Sequence, residues 1–157
     1  MKITFLFTGK TENGWIKEGF EQYFGRLRHY ADVTLTEIAP PKNAAKMEPS
    51  AQNKAEGELQ LARIADGDRL ILLDERGKEF SSVELAGWMQ KQQSSGAKRL
   101  VFLIGGPYGF SEKIYQRADA QVSLSRLTFS HQMVRVVLAE QVYRAFTIIR
   151  GEKYHHQ

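Results

Sequence analysis

The sequence predicts one α/β domain over residues 1–157, with a mostly parallel sheet and helices on both of its faces. Three observations support this fold class. Patterns typical of strands and of helices alternate along the chain. The run 100–104, Leu-Val-Phe-Leu-Ile, is apolar without interruption, as expected of a strand buried on both faces. With 42% apolar and 25% charged residues, the composition is that of a globular domain with one hydrophobic core.

The first half of the chain alternates strands and helices around one long loop. Its predicted order is strand 2–8, helix 13–28, strand 33–38, surface loop 39–53, helix 50–64 and strand 69–74. Prolines and several Lys and Asn residues favour the loop. Apolar residues at helical spacing mark the buried face of each helix, clearly in the first and weakly in the second: Trp15, Phe20, Phe24 and Leu27, then Leu59, Leu61 and Ile64.

The second half has a similar alternation and ends in the most clearly marked helix. Its predicted order is a helix that opens with a capping box at 81–84, strand 99–104, a short helix from Ser111, strand 120–124 and helix 131–149. Ser130 is placed to cap the last helix. The apolar stripe of that helix is wider than one sheet face needs, so part of it is expected to be buried against a second copy in a homodimer.

The composition excludes several classes of protein. There is no cysteine, so neither a disulfide framework nor a thiolate metal site is expected. The adjacent His155 and His156 have no carboxylate at a suitable spacing, so no metal is expected. No apolar run approaches the roughly 20 residues that cross a bilayer, and the first strand is too short for a signal peptide core. We therefore expect a soluble, cytoplasmic protein without a membrane partner.

Positive charge is concentrated at the C-terminal end of the chain. The net charge is +4, yet residues 1–97 hold 13 basic against 14 acidic side chains. From Lys98 onward there are 9 basic against 4 acidic side chains. A polyanionic partner such as nucleic acid would explain this asymmetry. The charge by itself is equally compatible with a solvated basic surface.

Two predicted strands open into loops that suit a small-molecule site. Gly105-Gly106-Pro107-Tyr108-Gly109 follows the apolar strand directly and fits neither the dinucleotide fingerprint nor a phosphate loop. The loop 125–131, after the next strand, carries hydroxyls, one arginine and one imidazole. Because ligands of open α/β sheets bind at the carboxyl ends of strands, we predict a pocket between the two loops. Each loop alone also fits a purely structural turn.

Other candidate groups have competing interpretations. No G-x-S-x-G motif is present. Asp74 and Glu75 end a predicted strand and fit a solvated turn better than a general base. In the last helix, Arg144 lies four residues after Glu140, which predicts a surface ion pair.

A second interpretation places the last arginines and the tail in a functional surface. Arg135, Arg144 and Arg150 then form a stripe that contacts phosphates. The tail 150–157 contains an aromatic side chain, two imidazoles and cations, whereas chain ends more often fray.

Five segments, in this order, resemble the small bacterial methyltransferases that modify N3 of a pseudouridine in large-subunit ribosomal RNA, members of the SPOUT class. The resemblance spans essentially the whole chain and is most specific in the third and fourth segments. The segments are Leu-Leu-Asp-Glu-Arg-Gly-Lys (72–78), Leu-Ile-Gly-Gly-Pro-Tyr-Gly (103–109), Leu-Ser-Arg-Leu-Thr-Phe-Ser-His-Gln-Met-Val-Arg (124–135), Glu-Gln-Val-Tyr-Arg-Ala (140–145) and Tyr-His (154–155).

The resemblance implies a C-terminal trefoil knot, an obligate homodimer with the cofactor site near the interface, and the assembled ribosome as substrate. It implies S-adenosylmethionine as cofactor, bound by Leu73, Gly105, Leu124, Ser125, Arg126, Leu127, Thr128 and Phe129. No pattern along the chain by itself indicates the knot.

Methyl transfer to N3 requires orientation of the base and loss of its weakly acidic proton. We hypothesise that His131, Arg135, Tyr154 or His155 holds and polarises the base, and that Arg144 and Arg150 contact RNA phosphates. The main alternative is a non-catalytic RNA-binding or ribosome-associated factor that uses the same basic surface. A small α/β enzyme with a nucleotide cofactor is disfavoured because both of its motifs are missing.

Overall fold

The fold is organised around one five-stranded sheet in which every neighbouring pair is parallel. The computed structural model describes residues 1–156. The strands are β1 Lys2–Thr8, β2 Asp32–Ile38, β3 Asp68–Glu79, β4 Arg99–Ile104 and β5 Ala120–Ser123, in the spatial order β2-β1-β4-β3-β5. The predicted α/β class and parallel sheet are confirmed.

Helices cover both faces of this sheet, also as predicted. They are α1 Trp15–Leu27, α2 Pro49–Leu61, α3 Ser82–Gln93, α4 Glu112–Arg117 and α5 Met133–Ile149. One face carries α1, α3 and α5, and the other carries α2 and α4. The capping box of α3 is formed by Ser81 and Glu84. Ser130 accepts a hydrogen bond from the Met133 amide, so it caps the turn that leads into α5.

The two faces differ in composition because the strands alternate their side chains. Odd-numbered residues of β1 send three apolar side chains toward α1, α3 and α5, where Phe5 packs against Phe20, Phe24 and Phe102. Toward α2 and α4 the same strand presents Leu6 between two threonines. The first face therefore contains the larger apolar core.

Three predicted details of the first half are wrong. Residues 39–53 are only partly a loop, because a 3-10 turn forms at Ala44–Lys46 and α2 begins at Pro49, a residue that fits the first helical turn. In α1, Trp15 is exposed and Ile16 is buried in its place. In α2, Leu59 is 38% exposed, and the buried positions are polar or glycine.

Strand β3 is longer than the predicted 69–74 and bends around the end of β5. Val122 is the register partner of both Leu73 and Lys78. Gly77 lies in the bend, where a Cβ atom would be 2.7 Å from the backbone of Val122. Only glycine allows this close approach of two backbones.

Candidate active site

A cavity of about 650 Å³ lies at the carboxyl ends of β4 and β5 and at the bend of β3 between them. Its volume is typical of a small-molecule site. Its walls come from three segments: Leu73–Arg76, Ile104–Phe110 and Leu124–His131 without Arg126, together with Tyr115, Val122 and Val134. Strand β3 lies between β4 and β5, so the two predicted loops flank the bend of a third strand and do not follow adjacent strands.

Seven of the eight predicted cofactor residues line this cavity. They are Leu73, Gly105, Leu124, Ser125, Leu127, Thr128 and Phe129. Arg126 points elsewhere, with its Nε 3.5 Å from a carboxylate oxygen of Glu79. Leu127 is 77% exposed at the rim.

The glycine turn presents backbone to the cavity. Gly106 and Gly109 form a β-bridge, and Gly109 has a φ of +77°, a value that favours glycine. A Cβ atom on Gly105 would lie 2.9 Å from the ring of Phe110 and 3.0 Å from the Gly109 carbonyl oxygen. The turn is therefore packed too tightly for a side chain at Gly105, and the part of it that faces the cavity is backbone, which a ligand can approach closely.

One wall of the cavity is a hydrogen-bonded cluster of Asp74, Arg76 and Tyr115. The Tyr115 hydroxyl donates to Asp74 Oδ2 at 2.6 Å, and Arg76 donates to the Tyr115 hydroxyl at 2.8 Å. Burial alone would raise the pKa of Asp74, but these partners and the Arg76 amide outweigh it and hold that pKa below its usual range. Asp74 is therefore ionised and held in place at neutral pH.

Two members of this wall were not identified as site residues from the sequence. Tyr115 reaches the cavity from α4, and Arg76 from the bend in β3. No sequence motif around either residue predicts a role in the site. The one available indication is that Tyr115 is an aromatic residue in the helix that follows the glycine turn. Glu75 also lines the cavity and accepts a hydrogen bond from the Thr128 hydroxyl at 2.6 Å, which links β3 to the loop after β5.

The four predicted catalytic residues lie in three different places. His131 lines the cavity and is exposed. Tyr154 and His155 pack against the C-terminal half of α5, and neither lines the cavity. Arg135 is buried at the carboxyl end of β1.

Arg135 holds the end of β1 against α5. It is fully buried, and its guanidinium donates to the carbonyl oxygens of Thr8, Gly9 and His131, each at 3.0 Å, and to the Thr11 hydroxyl at 2.9 Å. Because its donors are occupied and it does not face the cavity, we assign it a structural role in place of the predicted catalytic one.

Within the described part of the tail, residues 150–156, Tyr154 and His155 pack against α5. The Tyr154 hydroxyl donates to Glu140 Oε1 at 2.9 Å, and its ring packs edge-on against Tyr143. His155 Nδ1 lies 3.1 Å from Arg144 Nη1. Burial, together with the neighbouring Tyr23 hydroxyl and Glu140 carboxylate, raises the pKa of Tyr154 above its usual range, so its hydroxyl keeps its proton at neutral pH.

The two predicted RNA-binding arginines have different surroundings. Arg144 forms the predicted ion pair with Glu140, at 2.5 Å, and lies over the Tyr154 ring. Arg150 is exposed and lies 4.6 Å from the centre of the Tyr30 ring. Of the two, Arg150 is the more accessible to a phosphate.

Residues 1–156 contain no cluster of three or more His, Asp or Glu side chains that would hold a metal ion. In the same part of the chain, every helix is too short or too polar to cross a membrane.

Comparison with known proteins agrees with this geometry. A family model described as "Predicted SPOUT methyltransferase" matches residues 1–155. A protein of Cytophaga hutchinsonii named ribosomal RNA large subunit methyltransferase H is 51% identical over 156 residues, 99% of this chain and all of that protein. Proteins with the same name from Flavobacterium johnsoniae and Parabacteroides distasonis are 50% and 45% identical, each over the full length of both chains.

Proposed function

Because the chain belongs to the SPOUT methyltransferase family, we propose that it uses S-adenosylmethionine to methylate N3 of a pseudouridine in 23S ribosomal RNA of the assembled ribosome. The observation that carries this proposal is the cavity at the ends of β4 and β5 and the bend of β3. Segments that are distant in sequence, and that the resemblance assigns to the cofactor, meet there. The full-length relatives that bear a ribosomal RNA methyltransferase name support the substrate class.

The residues of the cavity fit this cofactor. The glycine turn supplies a backbone wall without side chains, and Leu73 and Leu124 supply apolar surface for an adenine ring. The carboxylates of Asp74 and Glu75 suit the hydroxyl, ammonium and sulfonium groups of S-adenosylmethionine. A cavity of about 650 Å³ is large enough for a ligand of this size.

When bound, S-adenosylmethionine supplies a methyl group activated by its sulfonium charge. Held by the cavity residues, it would supply this methyl group to N3, and the N3 proton would pass to a base or to water. Among the predicted catalytic residues, His131 is the one at the cavity, where it is placed to accept this proton or to hold the base.

In the proposed homodimer, the tail of one protomer lies at the cavity of its partner. Within one protomer, Tyr154 and His155 contact Glu140 and Arg144, which lie 9 and 13 residues beyond His131 along the chain. At 1.5 Å per residue, that separation is roughly 14–20 Å. We infer that the tail of one protomer acts at the cavity of its partner, next to the half-buried apolar part of α5. The trefoil knot remains part of this proposal.

Methyl transfer to ribosomes tests the proposed function. Ribosomes from cells that lack this protein are incubated with the enzyme and methyl-labelled S-adenosylmethionine, and the acceptor is mapped by mass spectrometry. We expect label on N3 of one pseudouridine of 23S RNA. Label on another base, or binding to ribosomes without any transfer, would contradict the proposal and favour a binding factor.

The tail is tested by Tyr154→Ala, His155→Ala and deletion of residues 152–157. We expect turnover to fall by roughly tenfold or more, the scale of one lost acid–base or orienting group, while binding of S-adenosylmethionine by the cavity is retained. Leu59→Ala, at a partly exposed residue outside both the tail and the cavity lining, is the control. Intact turnover in all three tail variants would show that the tail has no catalytic role.

Arg150→Gln tests the RNA contact. We expect weaker ribosome binding and a smaller dependence of affinity on salt concentration, because one fewer phosphate is neutralised. Arg63→Gln, a cation in the half of the chain without positive excess, is the control. An unchanged salt dependence for Arg150→Gln would reject the assignment.

A further inference from the structure

Helix α2 lays a polar face against the glycine turn of the candidate active site. Asn53, Glu56, Gly57 and Gln60 share this face because their spacing is that of neighbouring helical turns. Glu56, Gly57 and Gln60 are buried, whereas a helix that packs on a sheet normally buries apolar side chains.

This face holds both ends of the turn. Asn53 Nδ2 donates to the carbonyl oxygens of Tyr108 and Phe110, at 3.2 and 3.1 Å. Gln60 Nε2 donates at 2.9 Å to the hydroxyl of Thr8, which donates to the Ile104 carbonyl at 3.0 Å. The backbone from the end of β4 to the start of α4 is thus held by hydrogen bonds from behind the cavity.

The carboxylate of Glu56 lies between these two anchors. It fills the space that a side chain on Gly106 would need, since a Cβ atom there would be 2.6 and 2.7 Å from its two oxygens. Glu56 is 3% exposed, and its one side-chain partner is Gln52, at 3.4 Å. Its Oε1 has no hydrogen-bond partner, and none of the ion pairs within residues 1–156 includes it.

Stability does not explain a carboxylate at this position. Burial without a cation disfavours the charged form and raises the pKa of Glu56. A neutral side chain of the same shape would avoid the desolvation penalty. Buried polar groups without partners are rare in folded proteins and call for a specific reason.

The cavity lies on the other side of the turn from Glu56. The backbone of Gly106 separates Glu56 from the cavity that it lines. The other carboxylates of the cavity are already engaged, Asp74 by Arg76 and Tyr115 and Glu75 by Thr128. Glu56 is therefore the buried carboxyl group beside the cavity that has no cationic partner within residues 1–156, and a cation bound in the cavity would favour its ionised form.

We propose that Glu56 is a positioning and specificity-determining residue, which supports Gly106 and makes the cavity prefer the cationic cofactor over its uncharged product. The proposal rests on the function proposed above, in which a sulfonium becomes a thioether. Attraction to the sulfonium is lost when the methyl group leaves, so Glu56 favours exchange of S-adenosylhomocysteine for fresh S-adenosylmethionine.

Calorimetric titration of the full-length protein with both compounds tests this proposal. In Glu56→Gln, we expect the Kd for S-adenosylmethionine to rise about tenfold, a typical effect of one charge several ångströms away in a partly shielded site. The Kd for S-adenosylhomocysteine should change less than about twofold on the same argument.

Two further variants separate charge from support. Asn53→Ala removes the hydrogen bonds to the turn without changing charge, so both Kd values should rise together and their ratio should persist. Glu56→Asp keeps the charge with a shorter side chain and should also keep the ratio. This variant tests the proposal even if Glu56→Gln does not fold.

The outcomes are distinguishable. The role of Glu56 would be overturned if Glu56→Gln left the ratio of the two Kd values as in the unmodified protein, or if Glu56→Asp abolished the preference for S-adenosylmethionine. Either result would leave the methyltransferase assignment intact. If the unmodified protein bound neither compound, the proposed function would fail as well.

Discussion

Helices α5 and α2 lie on opposite faces of the same sheet and bury opposite kinds of surface. Helix α5 buries an apolar stripe that includes Leu138, Val142 and Phe146. Helix α2 buries Glu56 and Gln60 and leaves Leu59 partly exposed. The comparison shows that α5 contributes to the larger of the two apolar cores, whereas α2 uses polar side chains to hold a loop in place beside the candidate active site.

The largest effect is expected from loss of an α5 core side chain. Phe146 is 3% exposed and packs on Tyr30, so Phe146→Ala should lower the free energy of unfolding by about 3–5 kcal/mol. Leu59→Ala, an apolar residue on the outer side of α2, should lower it by less than about 1 kcal/mol. Denaturant titration measures both, and similar losses would contradict the assignment of the main core to the α5 side.

Arg135 is the buried charged residue of α5, and its replacement should have the next largest effect. Arg135→Met leaves the carbonyl oxygens of Thr8, Gly9 and His131 without their donor, and we expect a loss of about 3 kcal/mol. Thermal unfolding measures this loss. If Arg135→Met kept its stability but lost methyl transfer, the structural assignment of Arg135 would be wrong and the result would support its catalytic role.

The turn beside α2 should be sensitive to one added methyl group. Gly106→Ala places a Cβ atom against the Glu56 carboxylate, which should cost about 1–3 kcal/mol of stability and weaken binding of S-adenosylmethionine. Gly87→Ala in α3 adds the same group where nothing lies within 4 Å, so it should stabilise by about 0.5–1 kcal/mol. Equal behaviour of the two variants would show that the turn is not tightly held.

The smallest effect is a pH dependence of opposite sign at two buried carboxylates. Burial raises the pKa of Glu56, so its folded form binds the proton more tightly and stability falls as pH rises from about 4.3 through the folded pKa. Burial alone would also raise the pKa of Asp68, but hydrogen bonds from Arg99 and the Ala65 amide lower it overall. Its contribution is present above about pH 3.9 and is lost as pH falls through the folded pKa.

Unfolding measured from pH 3 to 8 checks these signs. Glu56→Gln should remove the loss of stability with rising pH, and Asp68→Asn should remove the loss with falling pH. We expect each change to be on the order of 1 kcal/mol. If both substitutions changed the slope of stability against pH in the same direction relative to the unmodified protein, the two carboxylates would not differ as proposed.

Local pattern was sufficient for much of the fold and for part of the site. The strand positions, the long last helix and the glycine turn follow from residues close together in sequence, since burial imposes its period directly on strands and helices. Pattern alone predicted a pocket between the loops 105–109 and 125–131, because both loops directly follow clear strands, and these loops do line the cavity. The assignment of individual residues to the cofactor, Leu73 among them, and the identity of the cofactor came from the resemblance.

Tertiary structure decided the rest, because the partners involved are far apart in sequence. The strand order placed β3 between β4 and β5 and so made Asp74 and Arg76 part of the cavity wall. The burial of the polar face of α2 could not be predicted from the sequence. In the sequence Glu56 is indistinguishable from a solvent-exposed helical glutamate, and its burial follows from contact with Gly106 in the folded chain. The periodicity of apolar residues predicts which apolar positions are buried. Whether a carboxyl group is buried depends on neighbours that are distant in sequence and come together only in the folded chain.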